Sequence, residues 1–134
     1  MKVLQPAGWS PPRGYVNGVA VPAGTQVFVA GQIGWNAQCV FESDDLVAQV
    51  RQALLNVRAV LAEAAASPAH IVRMTWYLTD RREYLARARE IGAVYREVIG
   101  SYTVAMTAVQ VAALMEARAQ VEIEVTAVLP PRAD

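Results

Sequence analysis

Residues 120–126, which read QVEIEVT, decide the fold of this chain. Val121, Ile123 and Val125 alternate with polar residues, so the apolar side chains share one face and two carboxylates share the other. A period of two is typical of a β-strand with one buried and one open face. We expect the apolar face to pack against helices, and the open face to meet water or another copy of the same sheet.

The residues before this strand predict two helices and four more strands. One helix is expected to begin at residues 43–45, where serine and aspartate can cap it, and to end before Pro68. A second helix is expected between Asp80, as part of a capping box, and Gly100. The strands are predicted at residues 14–21, 26–33, 70–79, 103–112 and 120–129, with the first two joined as a hairpin by residues 22–25. This order predicts an α+β fold, a sheet with the helices on one face.

Length and composition narrow the function classes. The 134 residues fit a single domain, residues 1–134, and the 12 basic residues balance the 12 acidic ones, which argues against a nucleic-acid partner. No apolar run reaches the roughly 18 residues that span a bilayer, and the N-terminal residues lack the apolar centre of a signal peptide. The lone Cys39 can form no internal disulfide, so we expect a cytoplasmic protein with no membrane partner. Because only 18% of the residues are charged, we expect part of the surface to contact another subunit.

Six segments along the whole chain form a set that resembles a known family. They are residues 15–18 (YVNG), 30–33 (AGQI), 49–57 (QVRQALLNV), 70–73 (HIVR), 106–114 (MTAVQVAAL) and 121–125 (VEIEV). In order and spacing they resemble the Rid family of reactive intermediate deaminases, also called the YjgF or endoribonuclease L-PSP family. The resemblance implies a chorismate-mutase-like fold, with a mixed sheet and two helices on one face. It also implies a homotrimer with three clefts between subunits, in which enamines or imines are hydrolysed to carbonyl compounds and ammonia.

The resemblance assigns three residues to such a cleft. The family carboxylate that directs water matches Glu122, the site tyrosine matches Tyr15, and the site glycine matches Gly31. Each residue has a structural alternative. Glu122 is otherwise a solvated carboxylate on an open sheet face, Tyr15 an ordinary strand aromatic, and Gly31 the site of a β-bulge.

Positions 106 and 110 depart from the family pattern. The family arginine that pairs with the substrate carboxylate falls on Met106, and the family glutamate four residues later falls on Gln110. A thioether cannot replace two charge-assisted hydrogen bonds, so we expect poor activity on 2-imino acids and better activity on a less anionic or more apolar imine. This expectation fails if Arg13, Arg73 or Arg118 reaches the cleft. If the last two strands pair, Met106 and Gln110 line one pocket with the carboxylate; the alternative for Met106 is interface packing.

The remaining candidate residues do not indicate a cofactor, and we expect none. His70 is the only histidine and has no second ligand at metal spacing, so we expect no metal site. Trp76 fits the apolar core. Trp35 lies in an irregular loop, where both a structural role and a role in ligand recognition are open. The leading hypothesis is a homotrimeric imine or enamine hydrolase of the deaminase type. The alternatives are a non-catalytic trimer that binds a small molecule and, less favoured, an endoribonuclease or translation inhibitor.

Overall fold

A computed structural model describes residues 1–101 and 103–131. Its elements, in chain order, are β1 (Lys2–Val3), β2 (Val19–Ala20), β3 (Thr25–Ile33), α1 (Leu46–Glu63), a 3-10 turn (Pro68–His70), β4 (Ile71–Leu78), α2 (Arg81–Ala86), α3 (Ala88–Val98), β5 (Ala105–Gln110) and β6 (Val121–Leu129). Within the described ranges, no helix is long and apolar enough to cross a membrane.

The main sheet has four strands in the order β3-β6-β4-β5. Strands β4 and β5 are parallel, and the other neighbouring pairs are antiparallel. Helix α1 packs on β3 and β6, and α3 packs on α1. The predicted α+β fold, a mixed sheet with two main helices on one face, is therefore confirmed.

The alternation in β6 separates the two faces of the sheet as the sequence predicts. Val121, Ile123 and Val125 are buried beneath the helices, whereas Glu122 is half-buried and Glu124 is exposed on the other side. This second side, here called the open face, also carries Phe28, Arg73, Thr75 and Tyr77. The open face therefore presents aromatic, hydroxyl and charged groups together.

The predicted hairpin between residues 14–21 and 26–33 is wrong. Strand β2 pairs with β1, with Lys2 opposite Ala20, and β3 pairs with β6 instead. Turn chemistry at residues 22–25 acts locally, whereas pairing with β6 lets β3 bury Val29 and Ile33 under α1. The long-range burial outweighs the local signal.

The helix boundaries are confirmed in part. The Asp45 side chain accepts a hydrogen bond from the Ala48 amide at the start of α1, as predicted. Helix α1 ends at Glu63, before the predicted stop at Pro68, since Ala65 adopts a left-handed conformation with φ 56°. The second predicted helix is two segments, α2 and α3, divided at Arg87.

Arg87 joins the divided helix to the start of α1. Its guanidinium pairs with Asp45 and with Glu90, the latter at 2.8 Å. These hydrogen bonds lower the pKa of both carboxyls below their ordinary values. The break between α2 and α3 thus coincides with an ionic contact to another helix.

The buried side-chain amide of Gln49 links α1 to the beginning of β6 through hydrogen bonds. The apolar stripe of α1 is fully buried, and beside it lies Gln49, only 1% exposed. Its Nε2 donates to the carbonyl oxygens of Ser43 (3.1 Å) and Arg118 (3.0 Å). Its Oε1 accepts from the Gln120 amide at 2.9 Å. One side chain therefore holds the segment that leads into Glu122.

Replacing this amide with an apolar side chain of similar size tests its contribution. We expect Gln49→Leu to lower the free energy of unfolding by about 2–4 kcal/mol, because three part-buried hydrogen bonds to backbone groups are lost. Urea denaturation measures the change.

Gln52 supplies the matched control on the same helix. Its side chain is half-buried, and among the residues that the structure describes it bonds only to the Asn56 side chain, at 2.8 Å. We expect Gln52→Leu to cost less than about 1 kcal/mol. Equal losses of unfolding free energy in the two variants would show that the hydrogen bonds of Gln49 contribute no more to stability than the bond of Gln52.

Candidate functional site

The sheet places the predicted site residues on opposite faces. Glu122 pairs in register with Tyr77 and lies on the open face. Met106 pairs in register with the buried Met74 and therefore lies on the helix side. Strand β4 separates β5 from β6, so the last two strands do not pair. The expectation that Met106 and Gln110 line one pocket with Glu122 of the same chain is wrong.

Gly31 and Glu122 form one half of the candidate site. The pairing of β3 with β6 shifts register between Val29 and Gln32, which makes a β-bulge at Gly31. A side-chain Cβ at Gly31 would lie 2.8 Å from both Cγ and Cδ of Glu122, so only glycine leaves room for this carboxylate. The β-bulge is the structural alternative expected for this glycine, and the close approach of the Glu122 side chain accompanies it.

The two carboxylates of β6 differ in their partners. Glu124 accepts a hydrogen bond from the Tyr77 hydroxyl at 2.6 Å, and this bond raises the pKa of Tyr77. In the described part of the chain, Glu122 makes no side-chain hydrogen bond and no ion pair. Its oxygens are therefore available to a water molecule or a ligand, whereas Glu124 is engaged within its own chain.

A groove on the helix side forms the other half of the candidate site. It encloses about 740 Å³ between β5 and the pair α2–α3. Its lining includes Arg13, Tyr15, Trp76, Tyr84, Tyr95, Arg96 and Met106. Tyr15 and Met106 are thus brought together, away from Gly31 and Glu122.

Aromatic side chains form the inner wall of this groove. Trp76 is 1% exposed, which confirms it as a core residue, and its ring centroid lies 6.3 Å from those of Tyr84 and Tyr95. Burial raises the pKa of Tyr84, and raises that of Tyr95 to about 12. The Tyr95 hydroxyl donates to the sulfur of Met74 at 3.7 Å. The wall is aromatic and neutral at physiological pH.

The arginines that could compensate for Met106 occupy different places. Arg13 lines the groove, whereas Arg73 lies on the open face and Arg118 pairs with Asp44 at 2.9 Å. Sequence reasoning missed Arg96, a groove residue on α3. The four-residue spacing of Ala88, Gly92 and Arg96 is the signal that would have placed it there.

Gln110 lies apart from both halves. Its side-chain oxygen accepts from the Arg81 amide at 2.7 Å, where α2 begins. This contact satisfies an orphan helix donor, which is a structural role. The placement of Gln110 in a common pocket with Met106 is therefore wrong.

The other candidate residues take structural positions. The Trp35 carbonyl accepts from Asn56 at 2.8 Å, and the Trp35 ring lies 5.8 Å from that of Phe41. Nδ1 of His70 accepts from the Ser67 amide at 3.0 Å, and Cys39 is exposed. Among residues 1–101 and 103–131, no three His, Cys, Asp or Glu side chains lie together as metal ligands would.

Comparison with known proteins establishes the family. The family model described as Endoribonuclease L-PSP matches residues 8–129. The crystal structure of a Rid-family protein, YyfB of Yersinia pestis, matches with a TM-score of 0.84 at 32% identity, covering 96% of this chain and 98% of that one. The chain belongs to the Rid family. Its chorismate-mutase-like fold, inferred above from six segments, is thereby confirmed.

Two further Rid relatives match over nearly their whole length. A RutC family protein of Synechocystis is 33% identical over 133 residues, which cover 97% of this chain and 98% of that relative. A crystal structure of Escherichia coli TdcF with bound serine matches with a TM-score of 0.68 at 30% identity, covering 96% of this chain and 99% of that one. The likeness to these relatives therefore extends over nearly the whole chain.

The steric relation between Gly31 and Glu122 gives a testable coupling. We expect Gly31→Ala to force the Glu122 side chain into another rotamer and to cost about 1–2 kcal/mol of unfolding free energy. In the background of Glu122→Ala the same substitution should cost markedly less, because the atoms in its way are gone. Urea unfolding of the four proteins gives the coupling energy. A Gly31→Ala cost that does not depend on residue 122 would contradict the contact.

Proposed function

We propose that this protein hydrolyses a reactive imine or enamine to a carbonyl compound and ammonia, with Glu122 directing the attacking water. The observation that carries the proposal is the position of Glu122, a carboxylate without a partner in the described chain, held beside Gly31. Family membership supports the same chemistry. A carboxylate that can accept a proton from water is the general base such a reaction needs.

The reaction balances without an added reactant other than water. An enamine first takes a proton on its β-carbon and becomes an iminium ion. Water then adds to the C=N carbon while Glu122 accepts one of its protons, giving a carbinolamine. Return of that proton to nitrogen lets the C–N bond break. The hydroxyl then loses its proton to solvent, which balances the proton taken up by the β-carbon, and the carbonyl compound and ammonia are released.

A homotrimer supplies the complete site. Glu122 and the groove lie on opposite faces of one sheet, so a single chain cannot present both to one ligand. Copies packed through their open faces bring Glu122 of one chain to the edge of its neighbour, where the groove opens. The exposure of Phe28 (71%) and the charged fraction of only 18% support an interface there.

We expect the substrate to differ from a small 2-imino acid in having a larger apolar part. Arg13 lines the groove, so a negative charge on the substrate still has a partner there. Met106 stands where the Rid family has an arginine for the substrate carboxylate, and a thioether offers only weak acceptance and dispersion. Losing such an ionic contact costs about two decades or more of rate or affinity. A small-molecule substrate with a larger apolar part fits the aromatic groove better.

The central test is ammonia release from freshly generated imines. We expect Glu122→Gln to lower the rate at least about 100-fold, since the amide cannot accept the water proton. Glu124→Gln, two residues along the same strand, should keep the rate within about threefold, since Glu124 is engaged with Tyr77. A coupled ammonia assay measures both. Background rates for the unaltered protein on every imine, or equal rates for the unaltered protein and Glu122→Gln, would refute the proposal.

The oligomeric state has its own test. We expect sedimentation equilibrium to give three times the 14.5 kDa chain mass. Phe28→Asp places an unpaired charge in the expected interface and should yield single chains. Leu85→Asp is the control, because Leu85 is similarly exposed (62%) but lies on α2. Single chains for the unaltered protein, or trimers for Phe28→Asp, would count against the assembly.

A second candidate is a trimer that binds a small molecule without turning it over. Met106 favours it, because the family residue that orients a substrate carboxylate is missing. Ligand-dependent thermal stabilisation with no ammonia release from any imine distinguishes this candidate. RNA cleavage is opposed by the zero net charge of the chain.

A further inference from the structure

The groove carries positive charge that the described chain does not neutralise. Arg13 and Arg96 line it, and no carboxylate of the described ranges does. Other arginines pair with carboxylates, for example Arg51 with Glu97 at 2.6 Å. Within residues 1–101 and 103–131, neither Arg13 nor Arg96 has a carboxylate within 4.0 Å. The groove is therefore complementary to an anion.

Arg96 is placed for such a contact by the residue one turn before it. A Cβ at Gly92 would lie 3.4 Å from Nη1 of Arg96, so the guanidinium rests along α3 over this glycine. Both residues line the groove. The cation therefore stands on the helical wall, across from Met106 on β5.

The inner wall suits an apolar body. It combines the thioether of Met106 with the rings of Trp76, Tyr84 and Tyr95. The indole N–H of Trp76 is buried and finds no acceptor among the described residues. A buried donor without a partner is unfavourable, which favours a ligand that also carries an acceptor.

We propose that the groove binds an organic anion with an aromatic or branched apolar body. The charged group lies against Arg96 and Arg13, and the body packs on Met106 and the aromatic side chains of the inner wall. The apolar body thus keeps the charged group of the ligand away from the inner wall. A small 2-imino acid has no such body to separate its charge from that wall. The statement that this ligand is the substrate rests on the proposed function. The selectivity of the groove for such a ligand is independent of the proposed function.

The test compares three probes by calorimetric titration and by tryptophan fluorescence. They are 3-phenylpropionate, the neutral 3-phenylpropionamide, and acetate, which lacks the body. We expect 3-phenylpropionate to bind at least about tenfold more tightly than either of the others, since only it offers both the ionic and the apolar contact. Its affinity should fall as salt is added.

Two matched variants locate the charge contact. Arg96→Gln should weaken 3-phenylpropionate about three- to tenfold and leave 3-phenylpropionamide unchanged. Arg89→Gln is the control, because Arg89 is exposed on the same helix and does not line the groove. It should change neither affinity. Circular dichroism establishes that both variants are folded.

The outcomes separate this inference from the proposed function. Equal affinities for the acid and the amide, or equal losses in Arg96→Gln and Arg89→Gln, would overturn the inference even if ammonia release depends on Glu122. Selective binding of the acid without ammonia release from any imine would support the inference and refute the proposed function.

Discussion

The buried amide of Gln49 is the constraint on which the candidate site depends. Three backbone groups from the loop before α1 and from the approach to β6 meet at this one side chain. A helix packed on a sheet can slide along it, because apolar contacts are not directional. The amide removes that freedom. It holds the approach to β6 against α1, and the alternation of apolar and acidic residues in β6 then decides which side chains face the helices and which reach the open face.

Local signals in the sequence predict the elements well because they act over a few residues. The alternation in β6 needs only its own side chains, and the Asp45 cap needs only the first turn of α1. Family resemblance adds Gly31 and Glu122, which are neighbours across β3 and β6. These features are readable without knowing the whole fold.

Pairing of distant segments is what the sequence does not predict. The turn-like residues 22–25 favour a hairpin, yet β3 finds its partner about 100 positions later in β6. The insertion of β4 between β5 and β6 is equally invisible, and together with the opposite orientation of the two side chains it separates Met106 from Glu122. Arg96 was missed because its significance depends on the groove, which several elements build together. Each of these wrong or missing predictions depends on contacts between segments that are distant in the sequence.

The parallel pairing of β4 and β5 determines how the groove assembles. Parallel neighbours need a long crossover, and here α2 and α3 supply it. Among the sheet strands, β5 bonds only to β4, at the edge. The crossover and the strand that it leads to thus form opposite sides of the groove. An edge strand with one sheet neighbour has low local stability, so we expect the sheet to open first at β5, which would expose Trp76 while the core under α1 stays intact.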